Sequence, residues 1–355
     1  MSRNALLGRT LSRWLLPAVC AGLLIEAGRT HAAVPPSFAN PGPRARVVTV
    51  QAADALDAFR PRPDVIRHMV EQGITNLTGR ASSAAAWRSL VSTQDVVGLK
   101  VFSAPGPNSG TRSDVVAAVI EGLLAAGIPA KHIIIWDREI ADLRLAGYFD
   151  LAQRYGVRVA GSVQAGWDDK SFYETEVIGN LVYGDHEFGL KGNGVGRRSF
   201  VSKLVSRDMT KIISITPLLN HNDVGVSGHI YGLATGSVDN LVRFEGLPER
   251  MTRAIPEIYA LEPLSDKVVL NITDALIAQY EGGERGLLHY STILNQLRFS
   301  KDPVALDMLS IQELDRQRLA AQAPTVRPNL DLYDTAALLQ LGIADLKRIQ
   351  VEKVR

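Results

Sequence analysis

The chain has 355 residues, 39 basic and 37 acidic side chains, a formal net charge of +2 and a single cysteine, Cys20. That balance carries no polybasic footprint for nucleic acid, and a lone cysteine excludes a disulfide framework within the chain. The length is enough for one large α/β unit with a substantial core. In chain order, the N-terminal segment "MSRNALLGRTLSRW" carries Arg3, Arg9 and Arg13, followed by the apolar run "LLPAVCAGLLI" and a small-residue site at Ala32 or Ala33. This reads as an export leader over residues 1–33, of the general secretory type because no paired arginines are present. It places the mature protein in the periplasm or outside the cell. The 11-residue apolar run is too short to span a bilayer, and no transmembrane segment is expected in the mature chain.

Loss of residues 1–33 takes four Arg, Glu26 and Cys20 with it. The mature chain then has 322 residues, 35 basic and 36 acidic, for a net charge of −1. With no cysteine left, a cysteine-ligated iron–sulfur cluster, a Cys-zinc site and a thiol nucleophile are excluded. The expected partner is a small-molecule ligand and not nucleic acid.

Residues 34–60, rich in proline and small residues at their start, are expected to form an extended lead-in, with a single α/β domain over 61–355. "DVIRHMVEQGITNLTG" and "AAAWRSLV" have apolar residues at helical spacing. "VVGLKV" is a buried-strand pattern. "RSDVVAAVIEGLLAAGI" predicts a helix with Ser113 as N-cap, Asp114 in the first turn and Gly127 as the stop. The strand "HIIIWD", a helix around "EIADLRLAGYFDLAQRYG" and the strand "VRVAG" complete a βαβ series. Such alternation implies a mostly parallel central sheet flanked by helices. An irregular insertion is expected around 162–207, with short antiparallel strands. "KIISITP" and "VVLNITDAL" are further buried strands. "DPVALDMLSIQELDRQRLAAQ" is a helix with Asp302 as N-cap and Pro303 at its first position. The C-terminal segment predicts a helix and then an edge strand.

Ligands in open parallel sheets sit beyond the carboxyl ends of the strands. Polar residues at those exits form the candidate site: Lys100 in "GLKV", Asp137 ending "IIIWD", Asn220 and His221 after "ISITPLL", and Asp274 after "VLNIT". A lysine inside an apolar strand needs a partner or an anionic ligand. Asp137 could equally cap a helix or sit in an ion pair, and Asp302 is explained by capping alone. The stretch "LLNHNDVGVSGHIYGLATGSVDN" adds Asp223, Ser227 and His229. His221 and His229 are eight residues apart and reachable across a loop, so an N/O set for a divalent metal is one reading. The other is that His221 bonds to backbone and His229 packs on Tyr231.

The motifs "DVVGLKV", "LLAAGIPAKHIIIWDR", "MTKIISITPLLNHNDVGVSG", "GSVDN", "LNITDAL" and "RFSKDPVALDML" occur in an order that resembles the bacterial family named domain of unknown function 362, from about Thr75 to Gln317. Some members carry iron–sulfur modules, for which this chain lacks cysteines. The resemblance matches the family's strand lysine to Lys100. It keeps the histidine as His221, with Asn220 in place of a lysine, and the hydroxyl as Ser227. His229 is an addition, and "DPVAxD" is intact as Asp302 and Asp307. The expectation is an exported protein acting on a small anionic or polyhydroxylated molecule. His221 would be base or metal ligand, with His229 its partner. Lys100 would pair with substrate charge, and Asp137, Asn220, Asp223, Ser227, Asp274 and Asp307 would line the substrate site. The alternative is a non-catalytic metal- or metabolite-binding accessory protein.

Overall fold

The computed structural model describes residues 44–191, 194–283, 285–324 and 327–354. The leader read over residues 1–33, and the lead-in as far as residue 43, lie outside the described residues.

In chain order the strands are β1 (Ala45–Gln51), β2 (Leu56–Asp57), β3 (Arg60–Pro61), β4 (Val97–Lys100), β5 (Ile133–Asp137), β6 (Arg158–Gly161), β7 (Trp167–Asn180), β8 (Val195–Ser202), β9 (Lys211–His221), β10 (Gly225–Val226), β11 (Val268–Gln279), β12 (Ser291–Ser300) and β13 (Ile349–Val354). One nine-stranded sheet runs β13-β1-β12-β11-β9-β4-β5-β6, with β10 paired to β9. Strands β11, β9, β4, β5 and β6 are parallel to their neighbours in that series. β12 runs against both β1 and β11, and β13 lies parallel to β1. The sheet is therefore mostly parallel, as the strand–helix alternation implies.

Burial on both faces explains the apolar strand sequences. In β9, Ile213 and Ile215 enter one core with Val97, Leu99, Ile133 and Ile135. That core packs under the helices Pro63–Thr78 and Ser113–Ala125. Ile212 points to the opposite face, into a second core with Ile230, Leu233 and Ile311. There the helices His229–Ser237, Pro248–Tyr259 and Pro303–Ala320 cover the sheet.

Several boundaries differ from expectation. Ala45–Gln51 is not lead-in but a strand inside the sheet, because Val47, Val48 and Val50 are fully buried. Arg112, not Ser113, is the N-cap of the helix Ser113–Ala125, and the Arg112 side chain makes no capping hydrogen bond. The single helix expected over 139–156 is two, Ile140–Leu145 and Tyr148–Tyr155, broken at Gly147, whose φ of 84° is left-handed. The insertion is more regular than its sequence: β7 and β8 form a long antiparallel ribbon. Asp302 caps the helix Pro303–Ala320 as expected, its Oδ1 accepting from the Ala305 amide at 2.8 Å.

Candidate functional site

The histidine-bearing stretch is not a loop. Only its first part, the β9–β10 hairpin with Gly225 paired to His221, turns at the sheet edge. From His229 to Ser237 it is a helix in which every residue is buried. Asp307, on the neighbouring helix Pro303–Ala320, caps it from outside: Oδ1 accepts from the His229 amide at 2.8 Å and Oδ2 from the Ile230 amide at 3.0 Å. A buried helix end needs such acceptors for its unpaired amides. Close packing then depends on Gly236, where a Cβ would come within 2.2 Å of Lys100 Cε.

His229 sits among three hydroxyls. Ser214 Oγ is 2.9 Å from Nδ1, and Thr216 Oγ1 and Thr273 Oγ1 are 3.3 and 3.1 Å from Nε2. Both ring nitrogens are occupied, and burial pushes the imidazole down to about 3, so it stays neutral. His221 faces elsewhere. Its Nδ1 accepts from the Asp223 and Val224 amides at 3.2 and 3.4 Å, and its ring lies 4.5 Å from that of Tyr231. Burial lowers its basicity as well. The two imidazoles thus have separate partners. Among the described residues, no group of three or more His, Cys, Asp or Glu is placed to hold a metal ion.

The strand-end charges are paired within the protein. Lys100 Nζ donates to Asp137 Oδ1 and to the Val101 carbonyl, both at 2.7 Å. Asp137 Oδ2 accepts from the Ser103 amide and hydroxyl, both at 2.7 Å, so this carboxylate is satisfied. Asn220 bridges Asn222 and the Gly283 amide. Ser227 is buried with an unpartnered hydroxyl, and the half-buried Asp223 contributes a backbone carbonyl to Asn329. Asp274 is buried on the other face of the sheet, where its Oδ2 accepts from the Arg112 amide and from Arg112 Nη1, both at 3.0 Å. Lys100, Asp137, His229 and Asp307 therefore form a satisfied seam on one face, while Asp274 belongs to a different neighbourhood.

That neighbourhood is an open cleft of about 400 Å³ at the carboxyl edge of the parallel strands. It is built by the segments that follow β1, β4 and β11. Arg60 and Phe59 come from the β2–β3 turn, and Asn108 and Arg112 from the β4 exit. Asp114 comes from the first turn of the helix Ser113–Ala125, and Leu288 from beyond β11. The Asp274–Arg112 pair fixes the floor and leaves Arg112 Nη2 on the Asn108 carbonyl at 3.3 Å. Asp114 is half-buried, and burial and then the nearby Asp274 charge push its carboxyl up. Arg60 is exposed and has no ion pair among the described residues. Sequence reasoning passed over Arg60, Arg112 and Phe59, and read Asp114 only as a helix-start charge. The strand-exit rule reaches "GTRSD" if it is applied to the whole β4–helix connection and not to the strand's last residue alone.

No protein-family model and no curated protein matches the chain. A solved structure of a Thermotoga maritima protein, a structural-genomics target, is similar at 14% identity and a TM-score of 0.39. The match covers 76% of this chain and 61% of that one, so this chain spans less than two thirds of that protein's length.

Proposed function

We propose that the protein binds a small organic anion in the carboxyl-edge cleft, as an exported binding or accessory protein. The observation that carries this is the cleft itself: concave space at the exits of β1, β4 and β11, with Arg60 and Arg112 at its wall and floor. Ligand sites in open α/β sheets lie at this edge, and their volumes begin at roughly 300 Å³. The Ser113 amide, at the start of a helix, adds a donor with no acceptor among the described residues, and the helix dipole favours negative charge there. The charged start, apolar run and small-residue site over residues 1–33 support export.

An enzymatic second reading is favoured by Asp114. A half-buried carboxyl raised by burial and facing the cleft suits proton transfer to a bound substrate. The histidine pair expected to do this work is not the better choice, since both His229 nitrogens are taken by hydroxyls.

Titration of the folded protein with acetate and inorganic phosphate, followed by protein NMR, tests the binding reading. Saturable shifts on cleft residues are expected, with affinity falling about tenfold in Arg60→Glu, the equivalent of about 1.4 kcal/mol. Absence of saturable shifts, or shifts indifferent to Arg60→Glu, would overturn it.

A further inference from the structure

The cleft has a second half that its charges do not explain. Asp57 pairs with Arg60 across a two-residue turn whose central residues are Ala58, at φ 45°, and Phe59, at φ 67°. Two successive left-handed residues are the requirement of a type I′ turn, which Asn-Gly fills without strain. Here the pair is Ala-Phe, and left-handed backbone is disfavoured for residues with a Cβ. The strained turn does not bury its aromatic ring, since Phe59 is 59% exposed at the mouth of the cleft. Leu288, from the segment after β11, is 50% exposed and lines the same cleft, with Ile277, Pro61 and Pro107 completing an apolar wall. Single exposed apolar residues need no explanation, but two facing one concavity across a strained turn do.

Resting on the anion-binding reading above, we propose that the cleft selects anions that carry a planar ring, with Phe59 as the stacking surface and Leu288 with Ile277 as the opposing wall. The ring would lie between these side chains while the carboxylate or phosphate group meets Arg60, the Ser113 amide and the Arg112 floor. An offset-stacked or edge-on ring gains from Phe59 beyond the apolar area it covers. An aliphatic anion of the same charge has only the polar half of the cleft. The class of ligand is thus an aromatic monoacid or an aryl phosphate, whichever anionic head the polar half accepts.

The test compares phenylacetate with acetate, and phenyl phosphate with inorganic phosphate, in the full chain and in the double variant Ala58→Asn, Phe59→Gly. The wild type should bind each aryl probe at least tenfold more tightly than its ring-free counterpart. The double variant, with a turn sequence suited to its backbone, should melt at a higher temperature yet lose that preference. Phe59→Tyr should keep it. If acetate or phosphate binds the cleft with no gain from the ring, the ring site is wrong while the anion reading stands. If no probe binds, both fail. A double variant that retains the full aryl preference would also overturn the role given to Phe59.

Discussion

The seam around His229 and the cleft lined by Arg60 hold the same kinds of residue, and the fold treats them in opposite ways. In the seam, Lys100 has Asp137, Asp307 has two helix amides, and His229 has three hydroxyls. Nothing there is left to offer a ligand. Among the described residues of the cleft, Arg60 has no ion pair, the Ser113 amide has no acceptor, and the Asp114 carboxylate accepts no side-chain hydrogen bond. Polar residues in buried strands can thus be a structural demand fully met at home. The informative feature is donors and acceptors left over where the surface is concave.

That contrast predicts a clean division: seam substitutions should cost stability, and cleft substitutions should cost binding. The largest effect is expected for Lys100→Met, which leaves the Asp137 carboxylate buried without its cation. A loss of about 3–5 kcal/mol should appear in urea unfolding, much of it recovered in Lys100→Met with Asp137→Asn. A single variant as stable as wild type would break the division.

Asp307→Ala should cost about 3 kcal/mol, because two buried helix amides lose their acceptors. The seam also has a pH signature. Burial pushes the Asp307 carboxyl up to about 7, above its ordinary value of 3.8. A raised carboxyl contributes stability that is complete below about 4 and lost as pH rises through about 7. His229, held down to about 3, works in the other direction, losing stability as pH falls below its ordinary value of 6.5. Thermal melts of Asp307→Asn should therefore lose part of the decline between pH 4 and 7. An unchanged slope would remove Asp307 from that balance.

In the cleft, Asp114→Asn should move the melting midpoint little while changing how binding depends on pH. A bound anion beside Asp114 favours the protonated carboxyl, so wild-type affinity should fall as pH rises through its titration. The variant should bind with a flatter profile and gain about two- to fivefold in affinity at neutral pH. Calorimetric titrations across pH would show this, and identical slopes would exclude Asp114 from the binding site. Leu288→Ser is the mildest case, with stability expected within about 0.5 kcal/mol of wild type because the side chain is half exposed.

The sheet was legible because its strands are apolar on both faces and its helices keep a 3.6-residue period. Asp302 with Pro303 marked a helix start that the backbone adopts. The helix His229–Ser237 was not legible. Its glycines and lack of a cap in its own sequence suggest a turn, whereas its cap is Asp307, far along the chain, and Gly236 serves close packing on Lys100. Lys100 and Asp137 were correctly seen as polar groups that need partners. That each would be the other's partner is a property of neighbouring parallel strands, invisible in either motif alone. The cleft was missed for the same reason, since its walls come from three distant strand exits.

The position of β1 bears on how the molecule is assembled. Its partners in the sheet are β12 and β13, with Val48 beside Phe299 and Ala45 beside Ile349. Among the described residues, no strand close to it in sequence pairs with it. Strands β4, β5 and β6, joined by short helical crossovers, can find one another early, while β1 must wait for the far end of the chain and its large loop-closure cost. The turn bearing Phe59 hangs directly from β1. On the proposed reading of the cleft, its Phe59 wall is expected to be completed only when β12 and β13 dock on β1, so ligand binding should be regained late in refolding.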